Sequence, residues 1–276
     1  MSSENKLLMP VEHGAWGLLL VPMLCAAILA GEWNAPLWIL CIAALALFLL
    51  RGSIEARRAQ VRTQPFSWKI LFAPAHLTLL LTAAAGGLVL LGVYRRMQLI
   101  PVALAGGLLF LVQHLLVRAH SAEKSEKRSL YAELVGVALL SLAAPAAWIA
   151  ARGALDQAGT RVWLLSLFFF LGGVLYVKFR VRGVLSHRSF SSFRERFQFA
   201  WPVFVYHVLL AAFLFAMVLQ ASLSAAVLAA FAPGILRACG LIFQLGQRFP
   251  IRRLGWTEVV HSVIFAVLLI LAFRLQ

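Results

Sequence analysis

Apolar residues of this chain fall into nine long runs separated by short polar connections. The runs lie at about residues 14–30, 35–50, 70–93, 99–117, 130–151, 161–179, 200–220, 222–243 and 256–273. Most have the roughly 17 to 25 residues that a helix needs to cross about 30 Å of hydrocarbon, although the second run is short. The pattern predicts an all-α, polytopic membrane helix bundle of about nine transmembrane helices, formed as a single integral membrane domain over residues 1–276.

The composition agrees with a bilayer environment. Hydrophobic residues make up 62% of the chain and charged residues 13%, and the mean hydropathy is +0.90, which excludes an ordinary water-soluble domain. The formal net charge of +15 does not indicate nucleic acid, because the chain lacks a polar domain that would gather its Lys and Arg for phosphate contacts. We expect membrane lipids as the partners of these charges.

The Lys and Arg residues are distributed unequally between alternate connections. One side carries 19 of them and the other only five, and Arg237 lies inside the eighth run. Under the positive-inside rule, this asymmetry predicts a cytoplasmic N-terminus and an extracytoplasmic C-terminus in the cell (inner) membrane.

A few ionisable side chains lie within or beside the apolar runs, and those that we single out fall in the predicted cytoplasmic half. Such groups are costly in hydrocarbon and usually face the bundle interior or a water-filled cavity. We expect Glu12, His13, His76, Glu133, His207, Glu258 and His261 to converge on one pocket. Taken singly, each carboxylate has a structural explanation as well, since it lies near a helix N-terminus.

Chemistry divides the candidates by role. Carboxylates and imidazoles suit acid–base catalysis near neutral pH, so the candidate catalytic residues are Glu12, His13, Glu133, Glu258 and His261. Guanidinium and imidazole groups suit an anionic substrate, so the candidate substrate-binding residues are Arg51, Arg58, His76, His114, Arg118, Arg182, Arg188, Arg194 and His207. No metal site is predicted, and the cofactor is left open.

Three motifs resemble the YwiC-like family of bacterial membrane proteins. They are PVEHGAW at residues 10–16, ELVG at 133–136 followed by AAPAA at 143–147, and LGWTE at 254–258. The resemblance covers most of the chain, and the family has no established activity to carry over.

The layout also resembles, more distantly, the UbiA-like prenyltransferases, which have nine helices and large cytoplasmic loops after helices two and six. That resemblance implies prenyl transfer with magnesium held by Asp-rich motifs in those loops. Here residues 51–69 contain only Glu55 as an acid, residues 178–199 only Glu195, and the single aspartate, Asp156, is predicted outside. Magnesium-dependent prenyl transfer is therefore disfavoured.

Three functions remain open. The first is binding or processing of an isoprenoid or other anionic lipid, with Arg51, Arg58, Arg182, Arg188 and Arg194 replacing the metal, so that binding survives magnesium chelation and weakens with salt. The second is a proton-coupled transporter of a small solute, which needs access from both faces although the outer half is poor in polar residues. The third is a haem or metal site on His76, His114, His207 and His261, for which no ligand spacing is specific.

Overall fold

The computed structural model of the protein describes residues 13–60, 73–123, 126–185, 190, 192–245, 247 and 250–275. Within these ranges every regular element is an α-helix, as predicted. The helices are α1 (His13–Ala30), α2 (Ala35–Gln60), α3 (Pro74–Gly92), α4 (Leu99–Glu123), α5 (Glu126–Ser141), α6 (Ala143–Arg152), α7 (Gln157–Leu185), α8 (Phe193–Leu219), α9 (Ala226–Gln244) and α10 (Ile251–Arg274).

The lengths and apolar character of these helices confirm a multi-pass membrane protein. Eight stretches of the described chain are long and apolar enough to cross a bilayer, and residues 14–30 of α1 add a shorter apolar stretch. The second span is not short, because α2 has 26 residues and continues past the apolar run into the basic segment.

The fifth predicted span is a helix interrupted at Leu142, between α5 and α6. Pro145 has no N–H to donate to the carbonyl of Ser141 four residues earlier, so the helical hydrogen-bond ladder stops there. A new ladder begins where Ala146 N donates to Leu142 O at 3.1 Å. Pro22, Pro202 and Pro233, by contrast, lie inside continuous helices.

Helix α1 occupies the centre of the bundle, where it packs against α5, α6, α7 and α10. Its buried face is made of small residues such as Cys25, Ala26 and Ala27, and α6 presents Ala144 and Ala147 in the same core. Small side chains let helix backbones approach closely in lipid, where packing rather than the hydrophobic effect drives association.

Helices α3 and α4 lie at the periphery. Among the described pairs, α3 packs mainly on α2, and α4 mainly on α5. Gly86 faces Ala43 of α2 and Gly106 faces Leu139 of α5, whereas a side chain at Gly87 would meet open space. The remaining surface of these helices carries exposed leucines and valines, as expected of lipid-facing helices.

One end of the bundle is held by polar side chains that bind helix carbonyls, and we call it the cap end. Asn34 Nδ2 donates to Ala151 O at 2.8 Å, Arg96 Nη2 donates to the same oxygen at 3.2 Å, and Arg152 Nη1 donates to Ala30 O at 3.3 Å. The opposite end, which carries the C-termini of α2, α4, α7 and α9 and most of the Lys and Arg, is called the basic end.

Candidate functional site

The hydrogen bonds and ion pairs of the predicted polar residues join different helix pairs. Among the described side chains, His76 lies between α2 and α3, Glu133 lies between α5 and α7, and His207 and Glu258 lie among α7, α8, α9 and α10. The last group includes a mostly buried ion pair beside a small cavity.

The centre of that group is an ion pair between Arg237 of α9 and Glu258 of α10. Both guanidinium Nη atoms donate to the two carboxylate oxygens, with Nη2 and Oε2 separated by 3.1 Å. The side chains are only 13% and 21% exposed, respectively. Each lies seven residues from the basic end of its helix, or about 10 Å at 1.5 Å per residue.

The Arg237 guanidinium also contacts the Tyr176 ring, and this contact does not involve Glu258. The Arg237 Cζ atom lies 4.1 Å from the centre of the Tyr176 ring on α7, a favourable cation–π distance. Tyr176 in turn donates its hydroxyl to Gln244 Oε1 at 2.8 Å. Arg237 Nε is buried and has no hydrogen-bond partner among the described residues, so one donor of the fork remains available.

A small cavity adjoins Arg237 between α7, α8 and α9, with room for about one water molecule. Its wall is mainly apolar, with His207 and Arg237 as its polar members; the lining residues are Phe169, Gly172, Gly173, His207, Leu210, Phe231, Gly234, Ile235 and Arg237. A cavity of this size can hold one small polar group or water molecule beside the guanidinium.

His207 has a defined tautomer in this site. Its Nδ1 lies 2.8 Å from Val203 O, and since a carbonyl only accepts, Nδ1 carries the hydrogen. Nε2 is therefore the acceptor of the neutral ring. A Cβ added at Gly172 would lie 3.1 Å from this Nε2, so the imidazole reaches the cavity only because α7 has a glycine there.

Three phenylalanine rings close the cavity towards the cap end. Phe169 and Phe265 stack with centroids 3.9 Å apart, and Phe231 meets Phe265 edge-on at 5.3 Å. Phe169 and Phe231 each lie three residues before a cavity-lining glycine, which is about one helical turn nearer the cap end. The cavity is thus closed towards the cap end by aromatic side chains.

The other two groups are more local. Ser53 Oγ and His76 Nε2 are 2.8 Å apart, and both side chains are buried. Lys178 Nζ bonds Ser129 Oγ at 2.8 Å and forms an ion pair with Glu133. Both link neighbouring helices near the basic end.

The remaining candidates do not join the Arg237 group through a described contact. His261 Nδ1 donates to Thr257 O on its own helix at 2.7 Å, and His114 stacks on Phe110. The Arg182 guanidinium lies 5.7 Å from the Phe179 ring, while Arg51 is half-buried and Arg118 and Arg194 are exposed.

Four candidate side chains are not among those that the structure describes. Glu12 and Arg188 lie outside the described residues, and the side chains of His13 and Arg58 are not among those described. Within the described ranges, no group of three or more His, Cys, Asp or Glu side chains is placed to hold a metal ion.

Arg237 is the important residue that the sequence-based site omitted. Its signal was present, since it is a single arginine inside an apolar run, and such intramembrane charges usually mark a functional or paired position. Tyr176, and Gly172 beside the His207 ring, carried no comparable signal, because their roles depend on which helices become neighbours.

Comparison with known proteins bears out the resemblance given by the motifs. The model of the family described as YwiC-like protein matches residues 9–148, which is half of the chain. A Bacillus subtilis protein, "Uncharacterized protein YwiC", is 26% identical over 270 residues, covering 96% of this chain and 98% of that protein. An "Uncharacterized protein" of Haemophilus influenzae is 26% identical over 156 residues, covering 56% and 58%. No solved structure matches the chain. The match over residues 9–148 shows that the chain belongs to the YwiC-like family.

Proposed function

We propose that this protein binds an amphipathic anionic ligand of the lipid class inside the membrane, with the anionic head at Arg237 and His207 and the hydrocarbon chain against the exposed apolar surface at Leu236 and Trp256. The observation that carries the proposal is the bidentate Arg237–Glu258 pair beside the small cavity. A guanidinium fork matches carboxylate and phosphate oxygens in the same two-point geometry. No divalent cation is required for such binding.

The surroundings of the pair favour a lipid over a hydrated solute. Leu236 beside Arg237 is 71% exposed, and Trp256 near Glu258 is 57% exposed. A ligand that approaches the pair from the side of the bundle therefore crosses an apolar surface, which favours a hydrocarbon chain and penalises a hydrated ion.

The membrane and orientation belong to the same proposal. We place the protein in the inner membrane with the basic end in the cytoplasm, because 19 Lys and Arg lie on that side and five on the other. The Arg237 site is then reached from the cytoplasmic leaflet. The UbiA-like arrangement stays a prediction.

Binding of short-chain phospholipids tests the proposal. Titration calorimetry should show that dihexanoyl phosphatidylglycerol binds and that dihexanoyl phosphatidylcholine, with the same tails and no net charge, binds at least tenfold more weakly. Binding should persist in EDTA and weaken with salt, because an arginine and not a metal holds the head.

A double variant supplies the control on folding. Arg237→Gln/Glu258→Gln removes the ion pair without leaving one buried charge alone, and it should lose selectivity for phosphatidylglycerol. The control variant Glu32→Gln/Arg274→Gln also removes one negative and one positive charge, at exposed positions near the cap ends of α1 and α10. It should bind phosphatidylglycerol as the wild type does. Equal binding by both double variants would contradict the site.

Transport of the same lipid across the bilayer is the second candidate, and the aromatic closure favours it. Phe169, Phe231 and Phe265 separate the cavity from the cap end, which is where a transporter needs a gate. Proteoliposomes with fluorescent phosphatidylglycerol distinguish the two functions. Dithionite bleaches only the outer half of the label if the protein merely binds lipid, and it bleaches nearly all of the label if the protein moves lipid across.

A further inference from the structure

We infer that the Glu258 carboxylate occupies the position that the ligand's anionic group takes when it binds. On ligand binding, Glu258 takes up one proton and leaves Arg237, so that binding of one anion is coupled to uptake of one proton. This inference rests on the proposed function and adds its regulation by pH. The reaction at Glu258 is the addition of a proton from water to the carboxylate, giving a neutral carboxyl group, while the ligand anion takes over the two Nη donors of Arg237.

The geometry makes Arg237 the fixed partner and Glu258 the exchangeable one. Arg237 is held against the Tyr176 ring, and Tyr176 is held by Gln244. Neither contact involves Glu258, so the guanidinium keeps its position when the carboxylate leaves. The two carboxylate oxygens of Glu258 already occupy the positions that a carboxylate or phosphate ligand needs.

Charge balance requires the proton. Arginine does not lose its proton in proteins, so the present pair is neutral as a whole. A ligand anion added beside an ionised Glu258 would leave one uncompensated negative charge in a mostly buried site, which is strongly unfavourable. Protonation of Glu258 restores a neutral site, with Arg237 paired to the ligand. The proton comes from water at the basic end, seven residues along α10 from Glu258.

Other titratable groups face the pair from each helix around it. Tyr176 on α7, with Arg180 beyond it, His207 on α8 and His261 on α10 all interact electrostatically with this group. Helix α1 also packs on α10, but residues 14–30 contain no charged side chain. The two histidines are thus the groups whose own protonation must be separated from that of Glu258.

Calorimetry of dihexanoyl phosphatidylglycerol binding between pH 5.5 and 8.5 tests the coupling. The phosphodiester keeps its single charge over this range, so any proton uptake belongs to the protein. Repeating each titration in buffers of different ionisation enthalpy gives the number of protons. We expect one proton per ligand, with affinity falling about tenfold per pH unit above the pKa of Glu258.

The variants assign that proton. Glu258→Gln, a permanently neutral mimic of the protonated carboxyl, should bind without proton uptake and without pH dependence. Glu258→Asp, which keeps a carboxylate, and the control variants Glu32→Gln and His261→Gln should retain both. His207→Gln should bind more weakly, because His207 contacts the anionic head, but it should still take up one proton per ligand. Proton uptake that persists in Glu258→Gln, or that is absent from the wild type, would overturn the inference while leaving lipid binding at Arg237 in place. Wild type that binds no lipid at any pH overturns the proposed function itself.

Dimethyl phosphate distinguishes a headgroup from a free anion, since this diester keeps one negative charge over this range and has no acyl chains. Dimethyl phosphate that competes with phosphatidylglycerol, with the same proton uptake, shows that the site recognises the anionic head alone. Dimethyl phosphate that fails to compete shows that the tail contributes to recognition. In both cases, the proton-coupled exchange at Glu258 is supported only if the titration with phosphatidylglycerol shows uptake of one proton per ligand.

Discussion

The two ends of this bundle use similar polar side chains for different purposes. At the cap end, Asn34, Arg96 and Arg152 donate to backbone oxygens of Ala30 and Ala151. Towards the basic end, Arg237 donates to another side chain, Glu258, beside a cavity. The first arrangement satisfies carbonyls that every helix C-terminus leaves unpaired. The second satisfies no backbone group.

This difference separates structural polar groups from functional candidates. A side chain that caps a helix lowers the free energy of the fold and needs no ligand. A pair of side chains from two helices could have been replaced by apolar packing with little loss of stability, and this makes the Arg237–Glu258 pair beside the cavity a candidate for ligand binding. The difference depends on the hydrogen-bond partners of a side chain and not on its residue type. It is therefore visible only in the folded structure.

The orientation of the two ends gives the largest expected effect, because labelling is all or none. After replacement of the native cysteines, we expect Asp156→Cys at the cap end to react with a membrane-impermeant maleimide in intact cells, and Arg194→Cys to react only after lysis. Both positions are exposed, so accessibility of the residue itself does not bias the comparison. Labelling of residue 194 in intact cells would reverse the assignment of the ends.

Breaking the Arg237–Glu258 pair on one side should cost the most stability. Arg237→Gln leaves a mostly buried carboxylate alone, and loss of one partner of such a pair costs about 3 kcal/mol or more. The double variant Arg237→Gln/Glu258→Gln should recover most of that loss, because two amides can hydrogen-bond to each other. Unfolding in mixed micelles measures both. A single variant as stable as the double would show that the pair is not coupled.

At the cap end, Gly153→Ala should destabilise by about 2 kcal/mol, since a left-handed φ alone costs roughly 1 to 2 kcal/mol outside glycine and an added Cβ would also overlap Arg96 Nη1. Gly31→Ala is the matched control. Gly31 has a φ of +75°, against +91° for Gly153, but nothing lies within 4 Å of its added Cβ, so it should lose only the conformational part. Equal losses in the two variants would remove Arg96 from the explanation.

The smallest effect concerns the N-terminus of α7, where Gly159 N donates to Asp156 Oδ1 at 2.8 Å. Asp156→Ala should reduce the free energy of unfolding by about 1 kcal/mol, as for other N-cap replacements. Asp156→Asn, which keeps the acceptor oxygen, should lose much less. Neither variant should alter phosphatidylglycerol binding, and a clear loss of binding would connect the cap end to the ligand site.

The sequence predicted the membrane bundle, because apolar runs of sufficient length have few alternatives. It did not predict the break at Leu142 or the continuation of α2 to Gln60, since both occur where hydropathy alone sets no boundary. The polar residues were found individually, but Lys178 and Arg237, the partners of Glu133 and Glu258, were not predicted. Which side chains meet depends on the neighbours of each helix and on its rotation about its own axis. The spacing of apolar residues and the composition give neither.

A cryo-electron microscopy map of the protein in nanodiscs containing phosphatidylglycerol at acidic pH tests the central claim most directly. The account predicts a phosphodiester within hydrogen-bonding distance of Arg237, between α7 and α10, with the Arg237 guanidinium still on the Tyr176 ring and Glu258 turned away. An intact Arg237–Glu258 pair at saturating lipid, with phosphatidylglycerol bound only elsewhere on the bundle, would contradict it.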